Sequence, residues 1–145
     1  MRRGFSFVEF LVVLAIISVV AAAASFSFSN LNGGQVVDKA ALAVFSVLAG
    51  AHSSAVSSKD AANVGVRILQ GAVVSFENSY GTSDATYTLS NLAGISTSSG
   101  IGTDIIFSDL YGTTTASGTV TVYLLSNPQV SSTIQVFSTG IIQRN

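Results

Sequence analysis

From Phe5 to Ala24 the chain is apolar at every position except Ser6, Glu9 and Ser18. The run is close to the roughly 20 residues with which an α-helix crosses a hydrocarbon core. Arg2 and Arg3 precede it and nothing equally basic follows, so the positive-inside rule leaves the N-terminus in the cytoplasm and the bulk of the chain across the membrane. Ser25 to Asn30 alternates, and Asn32-Gly33-Gly34 follows, a combination that predicts a bend or a melted turn. From Gln35 to Ser58 the period is helical again, with Val37, Ala41, Val44, Phe45, Leu48, Ala51 and Ala55 on one face.

Beyond Lys59 and Asp60 the period falls to two, and β-branched and aromatic residues gather between turn formers. The pattern predicts strands at 64–69, 72–77, 85–89, 104–107, 119–125, 133–137 and 141–143. Gly71, Gly81, Gly112, Gly118 and Gly140 mark turns, and 96–102 reads as a mobile Ser/Gly-rich loop. Strands this short and closely spaced form antiparallel sheets rather than βαβ units. The reading is α+β: a hydrophobic helix at 5–25, an amphipathic helix region at 26–58 and an antiparallel β domain at 59–145, with 1–4 ahead of them.

Composition sharpens this picture. Only 13 of 145 residues are charged, whereas Ser and Thr number 35, so hydroxyls and backbone solvate the surface. The length suits one domain with a real core. Without cysteine there is no disulfide framework, thiol nucleophile or thiolate metal site. A net charge of -1 argues against broad electrostatic binding of nucleic acid.

Glu9 decides between kinds of apolar N-terminus. A secretory signal would be cut near the small residues Ala21 to Ala24, but a carboxylate inside an apolar helix costs about 2.5 to 3.5 kcal/mol and needs a partner. Cleavage between Gly4 and Phe5 supplies one, because the new α-amino group lies one helical turn from Glu9.

The stretch Arg2-Arg3-Gly4-Phe5-Ser6-Phe7-Val8-Glu9-Phe10-Leu11 resembles the class III signal of type IV prepilins and pseudopilins. The resemblance implies that residues 1–4 are a leader peptide, that a membrane prepilin peptidase cuts after Gly4, that Phe5 becomes N-methylated and that Glu9 steers assembly. It also implies other pilin or pseudopilin subunits, an inner-membrane assembly platform and membrane lipid as partners, and no cofactor. Residues 51–56, 104–107 with Gly112, 118–122 and 134–141 resemble the H-type minor pseudopilins of type II secretion and the FimT-like minor pilins. The expected function is that of a structural filament subunit and not an enzyme. The alternatives are a FimT-like receptor for incoming DNA and a single-pass anchor for an unrelated β domain.

Other chemistry is sparse. His52 with Ser53, Ser54 and Asp60 suggests a hydrolytic site, but adjacent helical residues point to different faces, and a helix-end histidine is the simpler reading. Asp84, Asp104 and Asp109 are too few for calcium, which takes roughly six to eight oxygens, so no metal is expected. Phe76, Tyr80, Tyr87, Phe107, Tyr111, Tyr123 and Phe137 fall mostly in predicted strands, which makes them core.

Overall fold

The computed structural model describes residues 7–57, 63–81 and 85–145, the side chains of 26–32 excepted. Contacts divide the chain into two compact units, Met1–Gly33 and Gly34–Asn145. Helix α1 spans Phe7–Ser57. It is unbroken at Asn32-Gly33-Gly34, where the sequence predicts a melted turn. Glycine costs a helix about 1 kcal/mol but keeps its N–H and lacks the ring clash of proline, so a helix propagated from both sides passes through.

In the second unit the helical stripe forms the floor of the core. Val37, Ala41, Val44, Leu48, Ala51 and Ala55 are all buried, and Ala40 and Ala43 widen the stripe. Eight strands follow: β1 Val64–Leu69, β2 Ala72–Glu77, β3 Ala85–Thr88, β4 Ala93–Thr97, β5 Asp104–Phe107, β6 Gly118–Leu124, β7 Asn127–Val136 and β8 Ile142–Arg144. They form two antiparallel sheets, β3-β2-β1-β5 and β4-β6-β7-β8. Val64, Val66, Val73, Ile105 and Phe107 from the first sheet, with Val120, Val122, Ile134 and Val136 from the second, join the helical stripe in one apolar cluster. Full burial of side chains such as Leu48 and Phe107 contributes about 1.5–3 kcal/mol each.

Strand β4 is absent from the sequence reading, which places a loop from Ser96. Its Gly94 pairs with Tyr123 of β6, and the ring lies where a Cβ would stand, 2.6 Å from the Tyr123 Cζ. The expected mobile loop is tethered. Ser98 N–H donates to the Thr119 carbonyl and Ser117 N–H to that of Gly100, while Ile101 enters the core. Gly118, read as a turn, opens β6. The front half of β7 was also missed, because Pro128 and the polar residues after it suppress the strand pattern. Proline is tolerated there near the start of the strand.

The outer face of the first sheet carries a small polar-aromatic cluster. Arg67 Nε and Nη2 donate to both oxygens of Asp104, at 2.6 Å each, from directly paired positions on β1 and β5. The guanidinium lies 3.8 Å from the centre of the Tyr80 ring, which meets Phe76 edge-on. The Arg67 hydrogen bonds hold the Asp104 carboxyl below the usual carboxylate range, with burial opposing part of the effect. A carboxyl depressed in the folded state stabilises above its unfolded value, about 3.9, and that contribution disappears as pH falls through the lower folded value. Thermal melts should therefore show wild type losing more stability between about pH 5 and pH 3 than Asp104→Asn, which cannot titrate.

Candidate functional site

The first unit offers one unusual surface. Phe7–Ser25 has a mean hydropathy of 2.7 and none of it is buried within the chain. A helix apolar on every side requires lipid or other helices around it. Its hydroxyls are already satisfied: Ser18 Oγ donates to the Leu14 carbonyl and Ser25 Oγ to that of Ala21, both at 2.8 Å. Such back-bonding lets a hydroxyl enter an apolar medium. Glu9 has no such device, and among the described residues its carboxylate has no partner. Gly4 and Phe5 lie outside the described residues.

In the second unit, elements remote in sequence meet at the C-terminal end of α1. The His52 ring packs edge-on against Phe107, with centroids 5.6 Å apart and planes at 80°. Gly112 and Gly140 press on its other atoms. A Cβ at Gly112 would lie 2.5 Å from His52 Nε2, and one at Gly140 would lie 2.9 Å from the same atom. Both glycines have positive φ, 66° and 84°, so the turns that reach the histidine depend on them twice over. Leu110 N–H donates to the Ala55 carbonyl at 3.2 Å, binding the same loop to the last turn of the helix.

This packing gives the lone histidine a place in the structure. Ser53 and Ser54 are exposed on the helix and make no hydrogen bond to His52, and Asp60 lies outside the described residues. Asp104 is committed to Arg67, Asp84 lies outside the described residues, and no group of three potential metal ligands assembles among those described. Phe107 is core as expected; Phe76 is buried, but on the outer face of its sheet, Tyr123 and Phe137 are half-buried, and Tyr80, Tyr87 and Tyr111 are exposed. Tyr80 stacks on the outer face of its sheet, Tyr87 sits on an edge strand and Tyr111 tops a tight loop, places that a period-two pattern does not reveal. Sequence reasoning also missed the clamp on His52. Gly112 and Gly140 were legible as turns, but not what they turn onto.

Residues 1–25 match the family model of the prokaryotic N-terminal methylation motif. Among solved structures, the type IV minor pilin FimU of Pseudomonas aeruginosa superposes with a TM-score of 0.63 at 15% identity. That match covers 81% of this chain and 92% of FimU. The minor pseudopilin EpsH from the type 2 secretion system of Vibrio cholerae gives 0.61 at 12% identity, over 75% of this chain and 95% of EpsH. At these identities the likeness is one of fold. No curated protein matches by sequence.

The junction can be tested directly. Gly140→Ala forces a side chain into a left-handed backbone and against His52 and the Gly112 carbonyl. It should lower stability by about 2 kcal/mol or more, read as a shift of the urea midpoint. Gly102→Ala, where an added methyl meets nothing within 4 Å, should stay within about 1 kcal/mol of wild type.

Proposed function

We propose that this chain, which carries the N-terminal methylation motif and the fold of the type IV pilin and pseudopilin family, is a minor structural subunit of a type II secretion or type IV pilus filament. The observation that carries this reading is the unburied apolar helix with its single carboxylate, Glu9, which lies within the matched residues 1–25. Prepilin peptidase cuts between Gly4 and Phe5, and the new terminus at Phe5 is methylated. Before assembly the helix rests in the inner membrane with its N-terminus cytoplasmic and the β domain outside. The assembly platform then moves it from lipid into a bundle of helices from other subunits. There the Phe5 amine, of its own or a neighbouring chain, pairs with Glu9 and offsets the desolvation of both charges. The role is structural rather than catalytic.

A DNA receptor of the FimT-like kind draws less support. Arg67 is held by Asp104, and Arg144 Nη2 lies 2.6 Å from Asp38 Oδ1, so two of the cations left after cleavage already have acidic partners. Useful non-specific affinity for a duplex takes roughly six or more phosphate contacts.

Processing is read by intact mass of the chain extracted from membranes of a cell that expresses the peptidase. The expected result is loss of Met1 to Gly4 and gain of one methyl group. A full-length chain, or one cut near Ala24, overturns the reading. Assembly is read by Glu9→Leu. Removing the carboxylate eases membrane insertion, so the domain should melt as wild type does while incorporation into filaments collapses. Equal incorporation of the two chains argues against the role of Glu9.

A further inference from the structure

Each sheet has two edge strands, and three of the four are protected. The first three residues of β4 are buried, β5 continues into a bridge between Phe107 and Thr114, and β8 carries Arg144, tied to Asp38. The fourth, β3, reads Ala85-Thr86-Tyr87-Thr88 and is exposed at all four positions. It has no charge, proline or bulge, the usual devices against edge pairing.

The register fixes which of its backbone groups are open. Leu89 N–H donates to the Gly71 carbonyl at 2.9 Å, and Ala72 stands opposite Thr88. Antiparallel pairs alternate between bonded and non-bonded, so Tyr87 and Ala85 bond to β2 while the N–H and C=O of Thr86 and Thr88 point away from it. No described strand lies on that side.

Beneath β3 two cavities follow one another along α1. One, about 340 Å³, is lined by Val47, Ala51, Ser75, Glu77 and Ala85. The other, about 240 Å³, is lined by Lys39, Ala43, Tyr87 and Leu89. Their charges are opposite, and neither Glu77 nor Lys39 makes an ion pair among the described residues. Glu77 stands two residues beyond Ser75, the partner of Ala85, while Lys39 borders Tyr87 to Ser90. The two charges are thus about four to seven residues apart along the strand direction.

We propose that β3 receives an extended strand from a different polypeptide, antiparallel to it, with an acidic side chain about four to seven residues N-terminal to a basic one and small apolar side chains between. The acid meets Lys39, the base meets Glu77, and the outward groups of Thr86 and Thr88 supply the main-chain hydrogen bonds. Antiparallel addition continues the pattern of the sheet. That the strand belongs to a different polypeptide rests on the filament reading, since β3 pairing with itself is two-fold and a two-fold contact closes instead of propagating along a polar filament.

The test uses the full chain in detergent micelles and fluorescein-labelled peptides of about ten residues with an Asp-Thr-Val-Thr-Lys or a Lys-Thr-Val-Thr-Asp centre, followed by anisotropy. The acid-first peptide should bind about tenfold more tightly or better, and Lys39→Glu combined with Glu77→Lys should invert the preference. Thr88→Pro deletes an N–H that β2 does not use, so it should abolish binding without changing the melt. If that variant fails to fold, the charge exchange decides. No saturable binding, or binding indifferent to charge order, overturns the proposal. Dimerisation of the chain alone that Thr88→Pro abolishes also overturns it, in favour of a second copy. A chain that is processed at Gly4 but binds neither peptide loses this site alone, whereas one that binds but is never processed keeps the site and loses the filament reading.

Discussion

Both sheets are built against one stripe of one helix, and the second unit depends on that burial. Val37, Ala41, Val44, Leu48, Ala51 and Ala55 are the surface on which β1, β5, β6 and β7 converge. Without it, neither four-stranded sheet has an apolar partner for its inner face across the region where Val66, Ile105, Val120 and Ile134 are fully enclosed. The stripe is mostly alanine and valine, with Leu48 its one large side chain. The division of labour along α1 follows from composition. Residues 7–25 are apolar all round and are left bare, whereas the segment from Gly33 to Ser57 is apolar on one side and is partly covered.

With so few charges in the chain, the ion pairs among the described residues have distinct places. Arg67 and Asp104 lock neighbouring strands on the outer face, where Tyr80 covers the guanidinium, and Asp38 and Arg144 join helix to final strand. The charges free of such pairs among the described residues include Glu9 on the bare helix and Lys39 and Glu77 beneath β3. In a chain this sparing of charge, an ionised side chain without a partner is a more informative feature than an exposed leucine or valine.

What the sequence disclosed depended on whether the deciding contact was local. The bounds of β1, β2 and β5 were legible because runs such as Ala72-Val73-Val74 sit between turn formers and carry their own pattern. Strand β4 was not, because Ala93-Gly94-Ile95-Ser96-Thr97 has a single large apolar residue and is completed by Tyr123 arriving from another strand. The same rule covers the functional residues. Gly4, Phe5 and Glu9 belong to one contiguous motif, so a family resemblance reaches them directly. The open edge of β3 depends on register, and the clamp on His52 joins three segments that no window of sequence contains together.

The contact between Asp38 and Arg144 bears on the order in which the fold comes apart. It joins the helix a few residues past the boundary at Gly34 to the last strand, so that nearly the whole second unit lies within a loop closed without a covalent bond. Asp38 is two-thirds exposed, and a solvated pair of this kind contributes about 0–1 kcal/mol and weakens with salt. Strand β8, three residues long, otherwise rests on its pairing with β7 and on Ile142, which packs against the core. Ionic strength therefore acts as a tuning variable on the fraying of one end of the second sheet, leaving the apolar core beneath it untouched.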